Sequence, residues 1–230
     1  MTASGVFITG TDTGVGKTRV ATGLCQAYAD LGRRVAAMKP VSAGCSMTPA
    51  GLSNADALAL GDAATVRCSY SDLNPYAFEA PIAPHIAAAD AGVDIDLEVL
   101  DRAYRRLAAE SDVVVVEGAG GFLVPVGPAA SLADLAVMWQ LDVVLVVGLR
   151  LGCLNHALLT LEAIERRGLR LAGWVGNAIE AQFPRRAENL DALGARLGAP
   201  CLASLEFAPQ AGRREIAAVL RRNIASLCLA

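Results

Sequence analysis

The chain has 230 residues, a mean hydropathy of +0.42 and a formal net charge of −3 at pH 7. This length suits one α/β domain with a large core, so residues 1–230 are expected to form a single domain. The longest apolar runs, such as 143–149, are far shorter than the roughly 20 residues of a membrane-spanning helix. The arginine pairs are dispersed and the N-terminus carries no secretory pattern, so we expect a cytoplasmic protein with no nucleic-acid or membrane partner.

The basic residues divide unevenly, because eighteen of the twenty are arginines and only Lys17 and Lys39 are lysines. The six cysteines include no pair at the two-residue separation that zinc sites use. The chain has only two histidines, His85 and His156. These counts argue against a zinc cluster and against a hydrolase built on a Ser-His-Asp triad.

Apolar runs of strand length alternate with amphipathic stretches along the chain, which is the pattern of βαβ units. Four of the strand candidates are apolar nearly throughout, which predicts burial on both faces of a parallel sheet. The stretch 41–93 is less regular and too long for an ordinary connection, so we expect binding loops there. In chain order, strands are predicted at 6–9, 35–39, 113–117, 143–149, 171–177 and 201–205, and helices at 19–31, 96–109, 131–140, 155–167, 185–197 and 213–226.

A glycine-rich loop follows the first predicted strand and leads directly into a helix. Residues 10–18 read Gly-Thr-Asp-Thr-Gly-Val-Gly-Lys-Thr, with five rather than four residues between the outer glycines. In a phosphate-binding loop the backbone amides face the anion, the lysine reaches the β- and γ-phosphates, and the threonine hydroxyl binds magnesium. The loop therefore predicts a nucleotide site with Lys17 and Thr18 in these roles. The fold class is α/β, a P-loop NTPase-like three-layer fold with a mainly parallel sheet covered by helices on both faces.

Two further charged residues stand where predicted strands end, at the edge where open sheets bind ligands. Glu117 follows four valines and precedes a glycine-rich stretch. This position favours a magnesium ligand over a helix cap or a solvent-facing acid. Lys39 ends the second predicted strand, so we expect it beside the loop rather than as an ordinary solvated lysine.

Several short motifs occur in an order that resembles the dethiobiotin synthetase family over nearly the whole chain. Single motifs are shared with related P-loop ATPases, whereas the ordered set is specific. The motifs are Gly-Thr-Asp-Thr-x-x-Gly-Lys-Thr at 10–18, Lys-Pro-Val at 39–41, Asn-x-Asp-Ala-Leu at 54–58, Asn-Pro-Tyr at 74–76, Glu-Ala-Pro-x-x-Pro-His at 79–85, Glu-Gly-Ala-Gly-Gly at 117–121, Leu-Gly-Cys-x-Asn-His-Ala at 151–157 and Gly-Trp-Val at 173–175.

The resemblance implies an ATP- and Mg²⁺-dependent cyclo-ligase of biotin biosynthesis. Its substrates are 7,8-diaminononanoate and CO2 or bicarbonate, which form a carbamate. ATP phosphorylates the carbamate to a carbamic-phosphoric anhydride, and the second amine displaces phosphate to close the ureido ring of dethiobiotin. Phosphoryl transfer between two anions requires positive charge, for which Lys17, Lys39 and magnesium are suited.

The resemblance also implies roles for individual residues. Lys39 and Lys17 are the catalytic positions, and Thr18, Asp56 and Glu117 are the magnesium ligands. Without the resemblance, Asp56 is equally well interpreted as a helix cap, and Asn177 as a turn residue. The implied ATP contacts are Gly14, Val15, Gly16, Lys17, Thr18, Arg19, Asp56, Glu117, Gly118, Ala119 and Gly120 and, around the adenine, Asn177, Ala178, Glu206, Phe207 and Ala208.

The implied substrate site involves a second subunit. The turn at 152–155 matches a stretch that in the family crosses a two-fold interface and holds the partner's substrate carboxylate, so a homodimer is implied. The alternative is an ordinary strand-to-helix turn with a packed cysteine. The implied substrate contacts are Thr13, Lys39, Ser42, Ala43, Gly152, Cys153 and Asn155.

Three positions depart from the family pattern. Ala43 stands where a serine is usual and Ser42 precedes it, so either of them is a candidate for contact with the diamine. Glu206 follows Leu205 where an Ile-Pro pair is common, and Asn189 stands in place of an aromatic residue. The nucleotide preference among ATP, CTP and GTP therefore stays open.

A dimeric P-loop switch ATPase that regulates a protein partner is the alternative from another class. That class places a second lysine early in the loop, where this chain has Asp12, which argues against it. A cobyrinate-type synthetase domain is a further alternative, but it normally carries a glutaminase domain for which 230 residues leave no room.

Overall fold

The structure, a computed structural model, describes residues 3–208, 210–224 and 227. In chain order its elements are β1 (Ser4–Gly10), α1 (Lys17–Ala29), β2 (Val35–Met38), β3 (Val41–Ser42), β4 (Ser46–Thr48), β5 (Gly51–Ser53), α2 (Ala55–Ala63), α3 (Tyr70–Leu73), β6 (Tyr76–Ala77), α4 (Pro84–Asp90), α5 (Leu97–Glu110), β7 (Val113–Glu117), α6 (Leu132–Met138), β8 (Asp142–Leu149), α7 (Cys153–Arg166), β9 (Leu171–Ala178), α8 (Arg186–Leu197), β10 (Cys201–Leu205) and α9 (Arg213–Leu220).

The central sheet has six strands in the order β10-β9-β8-β1-β7-β2, and every neighbouring pair runs parallel. Both of its faces are covered, because successive residues of a strand point to opposite sides. In β1, Val6 and Ile8 pack towards α1, α2 and α9, whereas Phe7 packs towards α5 and α6. The predicted three-layer P-loop NTPase-like fold with a parallel sheet is thus confirmed.

The six predicted strands form the six strands of this sheet, with end points that differ by at most two residues. The strand predicted at 35–39 ends at Met38, which leaves Lys39 as the first residue beyond it. The helix after the glycine-rich loop begins at Lys17, two residues before its predicted start, because the loop turns directly into helix at Gly16. The helix predicted at 155–167 likewise begins early, at Cys153.

The helix predicted at 213–226 is too long, because α9 ends at Leu220. After it, the amides of Arg222 and Asn223 donate to carbonyls three residues back, which is the tighter pattern typical of a helix end. The predicted residues 225–226 lie outside the described part of the chain.

The stretch 41–93 is more regular than expected, since it contains the helices α2, α3 and α4 and two small two-stranded sheets. It packs beside β2 at one edge of the central sheet. It brings Asn54 and Asp56, at the start of α2, and the segment 81–84 to the cavity at the carboxyl ends of the strands. Within the described residues, no helix combines the length and the apolar character needed to cross a membrane.

Candidate functional site

A cavity of about 680 Å³ opens at the carboxyl ends of β1, β2 and β7. Many of the predicted site residues line it, namely Thr13, Gly14, Gly16, Lys17, Thr18, Lys39, Ser42, Ala43, Asp56, Glu117, Ala119 and Gly120. The remaining predicted residues lie outside this lining, namely Val15, Arg19, Gly118, Gly152, Cys153, Asn155, Asn177, Ala178, Glu206, Phe207 and Ala208.

The glycine-rich loop wraps the first turn of α1 and presents it to the cavity. Gly16 caps the helix in the left-handed region, with a φ of 94°. A Cβ at this position would lie 2.3 Å from Asn177 Nδ2, so both the backbone and the neighbouring amide require glycine here. The open N-terminus of the 13-residue helix then faces the cavity as a site for an anion.

Lys17 is only 7% exposed, and its Nζ donates to the carbonyl oxygen of Asp12 at 3.0 Å within the same loop. Burial, together with the charge of Lys39, lowers the pKa of Lys17 to about 8. A bound phosphate would stabilise the charged form of Lys17 against both burial and the charge of Lys39. The loop therefore favours the binding of an anion.

Lys39 and Glu117 form a buried ion pair at the floor of the cavity. The distance from Lys39 Nζ to Glu117 Oε1 is 2.6 Å, and Nζ also donates to the carbonyl of Gly118 at 3.0 Å. Thr18 Oγ1 donates to the same Oε1 at 2.8 Å. Asp56 approaches from α2, with its Oδ2 3.8 Å from Lys39 Nζ. The predicted catalytic lysine and the three predicted metal ligands therefore meet at one point.

The oxygen set at this point suits magnesium. Glu117 is 1% exposed, and its Oε2 is buried with no hydrogen-bond partner among the described residues. An unpaired buried carboxylate oxygen is costly, whereas a hard cation would satisfy it. The described residues contain no cluster of three or more His, Cys, Asp or Glu side chains that could hold a metal. Magnesium, however, is usually held by one or two carboxylates together with substrate phosphates.

The position of Asp56 bears on its interpretation as a helix cap. The side chain of Asn54 caps α2 by accepting from the amide of Ala57, so the helix does not depend on Asp56 for a cap. Asp56 lies in the first turn and lines the cavity, with its side chain half exposed.

Ser42 and Ala43 both line the cavity, but the serine hydroxyl is already engaged. Ser42 Oγ donates to Asn74 Oδ1 at 2.7 Å and lies 3.2 Å from Cys45 Sγ. Asn74 Nδ2 in turn donates to the carbonyl of Lys39 at 2.6 Å. Ser42 therefore helps to fix the backbone of Lys39.

The predicted adenine contacts gather at the ends of β9 and β10. Asn177 Nδ2 donates to the carbonyl of Val15 at 2.8 Å, and its Oδ1 accepts from Arg19 Nη1 at 2.9 Å. The carboxylate of Glu206 pairs with Arg186, which lowers the pKa of Glu206. Ala178 ends β9 in the core, and Phe207 and Ala208 follow β10, with the ring of Phe207 exposed.

The predicted intersubunit turn lies outside the cavity. Gly152 caps the 14-residue α7 with a φ of 94°, Cys153 is buried, and Asn155 lies in the first turn. Leu151, directly before them, is 94% exposed. The turn therefore lies at the surface, next to the exposed apolar side chain of Leu151.

Asp12 stands early in the loop, where switch ATPases place a lysine. Its carboxylate pairs with Arg150 at 2.5 Å and accepts from the Thr13 amide at 2.7 Å. The Thr13 amide and then Arg150 lower the pKa of Asp12. The cation that pairs with the Asp12 carboxylate is thus Arg150, directly after β8.

Sequence reasoning did not assign several residues of the cavity wall. Asn54, Val124 and the segment 81–84 all line it. The Pro-x-x-Pro pattern at 81–84 can be recognised in the sequence, but its place in the cavity wall depends on how the stretch 41–93 folds. The hydrogen bonds of Asn74 with Ser42 and Lys39 were not predicted for the same reason.

Comparison with known proteins identifies the family. A sequence profile for the AAA domain matches residues 4–215. The ATP-dependent dethiobiotin synthetase BioD of Pseudomonas paraeruginosa is 49% identical over 215 residues, which cover 93% of this chain and 94% of that protein. The protein of the same name from Cellvibrio japonicus is 50% identical over 202 residues, covering 88% and 89%. That from Xanthomonas oryzae pv. oryzae is 47% identical over 205 residues, covering 89% and 92%.

Among solved structures, a ParA family ATPase from Chlorobium tepidum matches with a TM-score of 0.57 at 14% identity, covering 97% of this chain and 92% of that chain. At this identity the likeness shows a common fold alone. The sequence relatives are far more similar, and their identity of nearly one half extends over most of both chains. The chain therefore belongs to the dethiobiotin synthetase family.

Proposed function

We propose that this protein is an ATP-dependent dethiobiotin synthetase, a cyclo-ligase of biotin biosynthesis that acts on 7,8-diaminononanoate and CO2 or bicarbonate. The observation that carries the proposal is the cluster of Lys39, Glu117 and Thr18 at the floor of a cavity beside a phosphate-binding loop. Membership of the family supports the assignment of the overall reaction. The cluster supports its phosphoryl-transfer step, because it places positive charge and a magnesium-binding carboxylate beside the phosphate-binding loop.

In the first step a carbamate oxygen attacks the γ-phosphorus of ATP, and ADP leaves. Carbamate and triphosphate are both anions, so their approach requires fixed positive charge. Lys17 and Lys39 line the same cavity and supply it. Lys39 contacts the carbamate and the γ-phosphate, and the loop residues Gly14, Val15, Gly16, Lys17, Thr18 and Arg19 hold the triphosphate.

Thr18, Asp56 and Glu117 would hold Mg²⁺ together with the phosphates. When bound, the cation neutralises charge on the phosphate oxygens. The buried, unpartnered Oε2 of Glu117 supports this assignment. In the absence of the cation, the Lys39 contact keeps the other oxygen of this carboxylate in place.

In the second step the remaining amine attacks the carbonyl carbon of the anhydride. The bond from that carbon to the phosphate oxygen breaks, phosphate leaves, and the amine loses a proton. Thr13, Ala43, Ala119 and Gly120 line the cavity and are assigned to the diamine, and the apolar segment 81–84 offers a wall for its alkyl chain. The adenine lies towards Asn177, Ala178, Glu206, Phe207 and Ala208.

We propose further that the enzyme is a cytoplasmic homodimer with one synthetase domain over 1–230. Gly152, Cys153 and Asn155 begin α7 at the surface, and its N-terminus suits the carboxylate of a substrate bound to the partner subunit. Leu151, directly before this turn, and Leu159, further along α7, are both exposed and support burial against a second copy. Light scattering of the purified protein should give twice the chain mass of 23.8 kDa, and a Leu159→Glu variant should give the monomer.

The test of function is phosphate release from Mg·ATP with bicarbonate, with and without 7,8-diaminononanoate. We expect release that depends on the diamine and equals the dethiobiotin formed. Release that is independent of the diamine but stimulated by a protein would instead favour a switch ATPase. Glu117→Gln should require a higher Mg²⁺ concentration, and an unchanged Mg²⁺ dependence would remove Glu117 from the metal site.

A further inference from the structure

A further inference rests on the proposed nucleotide site and concerns the base of the nucleotide. Lys39 directly follows β2, Glu117 ends β7 and Asp56 lies in α2. These elements lie on one side of β1 in the sheet order or pack beside it. The γ-phosphate is attracted to that side. The base must then lie on the other side, over the carboxyl ends of β8, β9 and β10.

Arg19 occupies this side of the loop. It is the third residue of α1, and its Nη1 donates to Asn177 Oδ1 at 2.9 Å and to the carbonyl of Glu206 at 3.3 Å. It therefore joins the start of α1 to the ends of β9 and β10. Among the described residues, its Nη2 has no hydrogen-bond partner, and its Nε is buried without one.

The amide of Asn177 is committed at both ends. Oδ1 accepts from Arg19, and Nδ2 donates to the carbonyl of Val15 at 2.8 Å. Asn177 is 4% exposed and lies directly against Gly16. The carboxylate of Glu206 is directed to Arg186, with which it forms an ion pair.

These contacts have a consequence for base selection. An asparagine amide reads adenine by accepting from its N6 amino group, whereas an arginine only donates and matches the O6 and N7 acceptors of guanine. Arg19 already donates to Asn177 Oδ1, so adenine N6 must share that oxygen with a guanidinium that cannot accept from it, whereas guanine can accept from Arg19 as it stands. We propose that Arg19 is a specificity-determining residue that lowers the preference for adenine and admits guanine.

The test measures nucleotide affinity without the diamine, by displacement of a fluorescent ADP analogue with Mg·ATP and with Mg·GTP. We expect the two dissociation constants of the native protein to lie within about fivefold of each other. In Arg19→Leu, the ratio of the GTP constant to the ATP constant should rise about tenfold, which is the range of a hydrogen bond to a charged group. Arg34→Leu removes a surface arginine remote from the loop and should leave the ratio unchanged.

Two further measurements separate base selection from damage to the loop. If Arg19 only holds the loop together, Arg19→Leu will weaken ATP, GTP and inorganic tripolyphosphate equally, and the proposal fails. If Asn177 reads adenine once released, the gain in ATP preference will disappear in Arg19→Leu/Asn177→Ala. A gain that persists in the double variant also overturns the proposal. Because no arm contains the diamine, loss of dethiobiotin synthesis and loss of this base effect are distinguishable results.

Discussion

The two lysines and the ion-paired arginines of this chain occupy opposite environments. Lys17 and Lys39 are buried in the cavity wall, and Lys39 forms a buried pair with Glu117. Most of the ion-paired arginines are exposed, as in the pairs of Arg34 with Asp112 and Arg106 with Asp72. A planar guanidinium suits a surface carboxylate, whereas a compact ammonium fits beside phosphate in a restricted space. Both lysines of the chain thus lie at the proposed reaction site.

Exchanging the two cation types should give the largest effect. We expect Lys39→Arg to lower dethiobiotin formation by about a thousandfold, because the larger planar group cannot occupy the buried position beside Glu117. The reciprocal change, Arg106→Lys, should leave the rate within about twofold. Rates are measured at saturating substrates after confirming that both variants unfold at normal temperatures. Nearly normal turnover of the Lys39→Arg enzyme would contradict the claim that this position requires a lysine rather than an arginine.

The free energies of unfolding should separate the same two regions. Lys39→Ala leaves Glu117 buried without its partner, which typically costs about 3 kcal/mol or more. Arg106→Ala breaks an exposed pair and should cost at most about 1 kcal/mol. Urea unfolding monitored by circular dichroism gives both values. Equal costs for the two variants would contradict the contrast in burial on which the comparison depends.

Within the buried region, the two lysines should have different roles. Lys17→Ala should weaken ATP binding about tenfold or more, because it removes the proposed contact with the phosphates. Lys39→Gln should change the affinity by less than about threefold, because its main effect is expected in the transfer step. Titration of each variant with a fluorescent nucleotide measures this difference. Similar losses of affinity in both would assign both lysines to nucleotide binding.

The smallest expected effect is a proton taken up on nucleotide binding. Burial and Lys39 lower the pKa of Lys17 to about 8, below its usual 10.5, so the free folded protein binds fewer protons than the unfolded chain between these values. The stability of the free protein should therefore rise with pH across this window, and nucleotide affinity should fall. Near pH 8, calorimetry in buffers of different ionisation enthalpy should detect uptake of a fraction of a proton. Lys17→Ala should show none.

Sequence reasoning located charged residues most accurately at the carboxyl ends of strands. Lys39 and Glu117 were predicted from the ends of their strands, and the parallel register of β2 and β7 pairs Met38 with Val116, which brings the next two residues together. A local sequence pattern does not reveal the order of the strands in the sheet. The direct contact between Lys39 and Glu117 was therefore not predictable from it. The strands β2 and β7 are neighbours in the sheet, although the whole stretch from 39 to 112 separates them in the sequence.

Residues supplied by loops were less predictable. Asp56 needed the family resemblance, because its local pattern is equally that of a helix cap. The hydrogen bonds of Asn74 and the cavity wall at 81–84 depend on how the stretch 41–93 folds against β2. No periodic pattern in the sequence predicts that fold. Asn177 was predicted as a base contact, but only the structure reveals that Arg19 and Val15 engage its amide.

The most direct test of the proposed reaction follows the oxygen atoms of bicarbonate. If a carbamate oxygen attacks the γ-phosphorus and the carbon–oxygen bond then breaks at ring closure, one bicarbonate oxygen is transferred to the released phosphate. With fully ¹⁸O-labelled bicarbonate, 7,8-diaminononanoate and Mg·ATP, mass spectrometry should find one ¹⁸O in phosphate for each dethiobiotin formed. Unlabelled phosphate accompanied by no dethiobiotin would mean that water attacks ATP, and it would contradict phosphoryl transfer to a carbamate at this site.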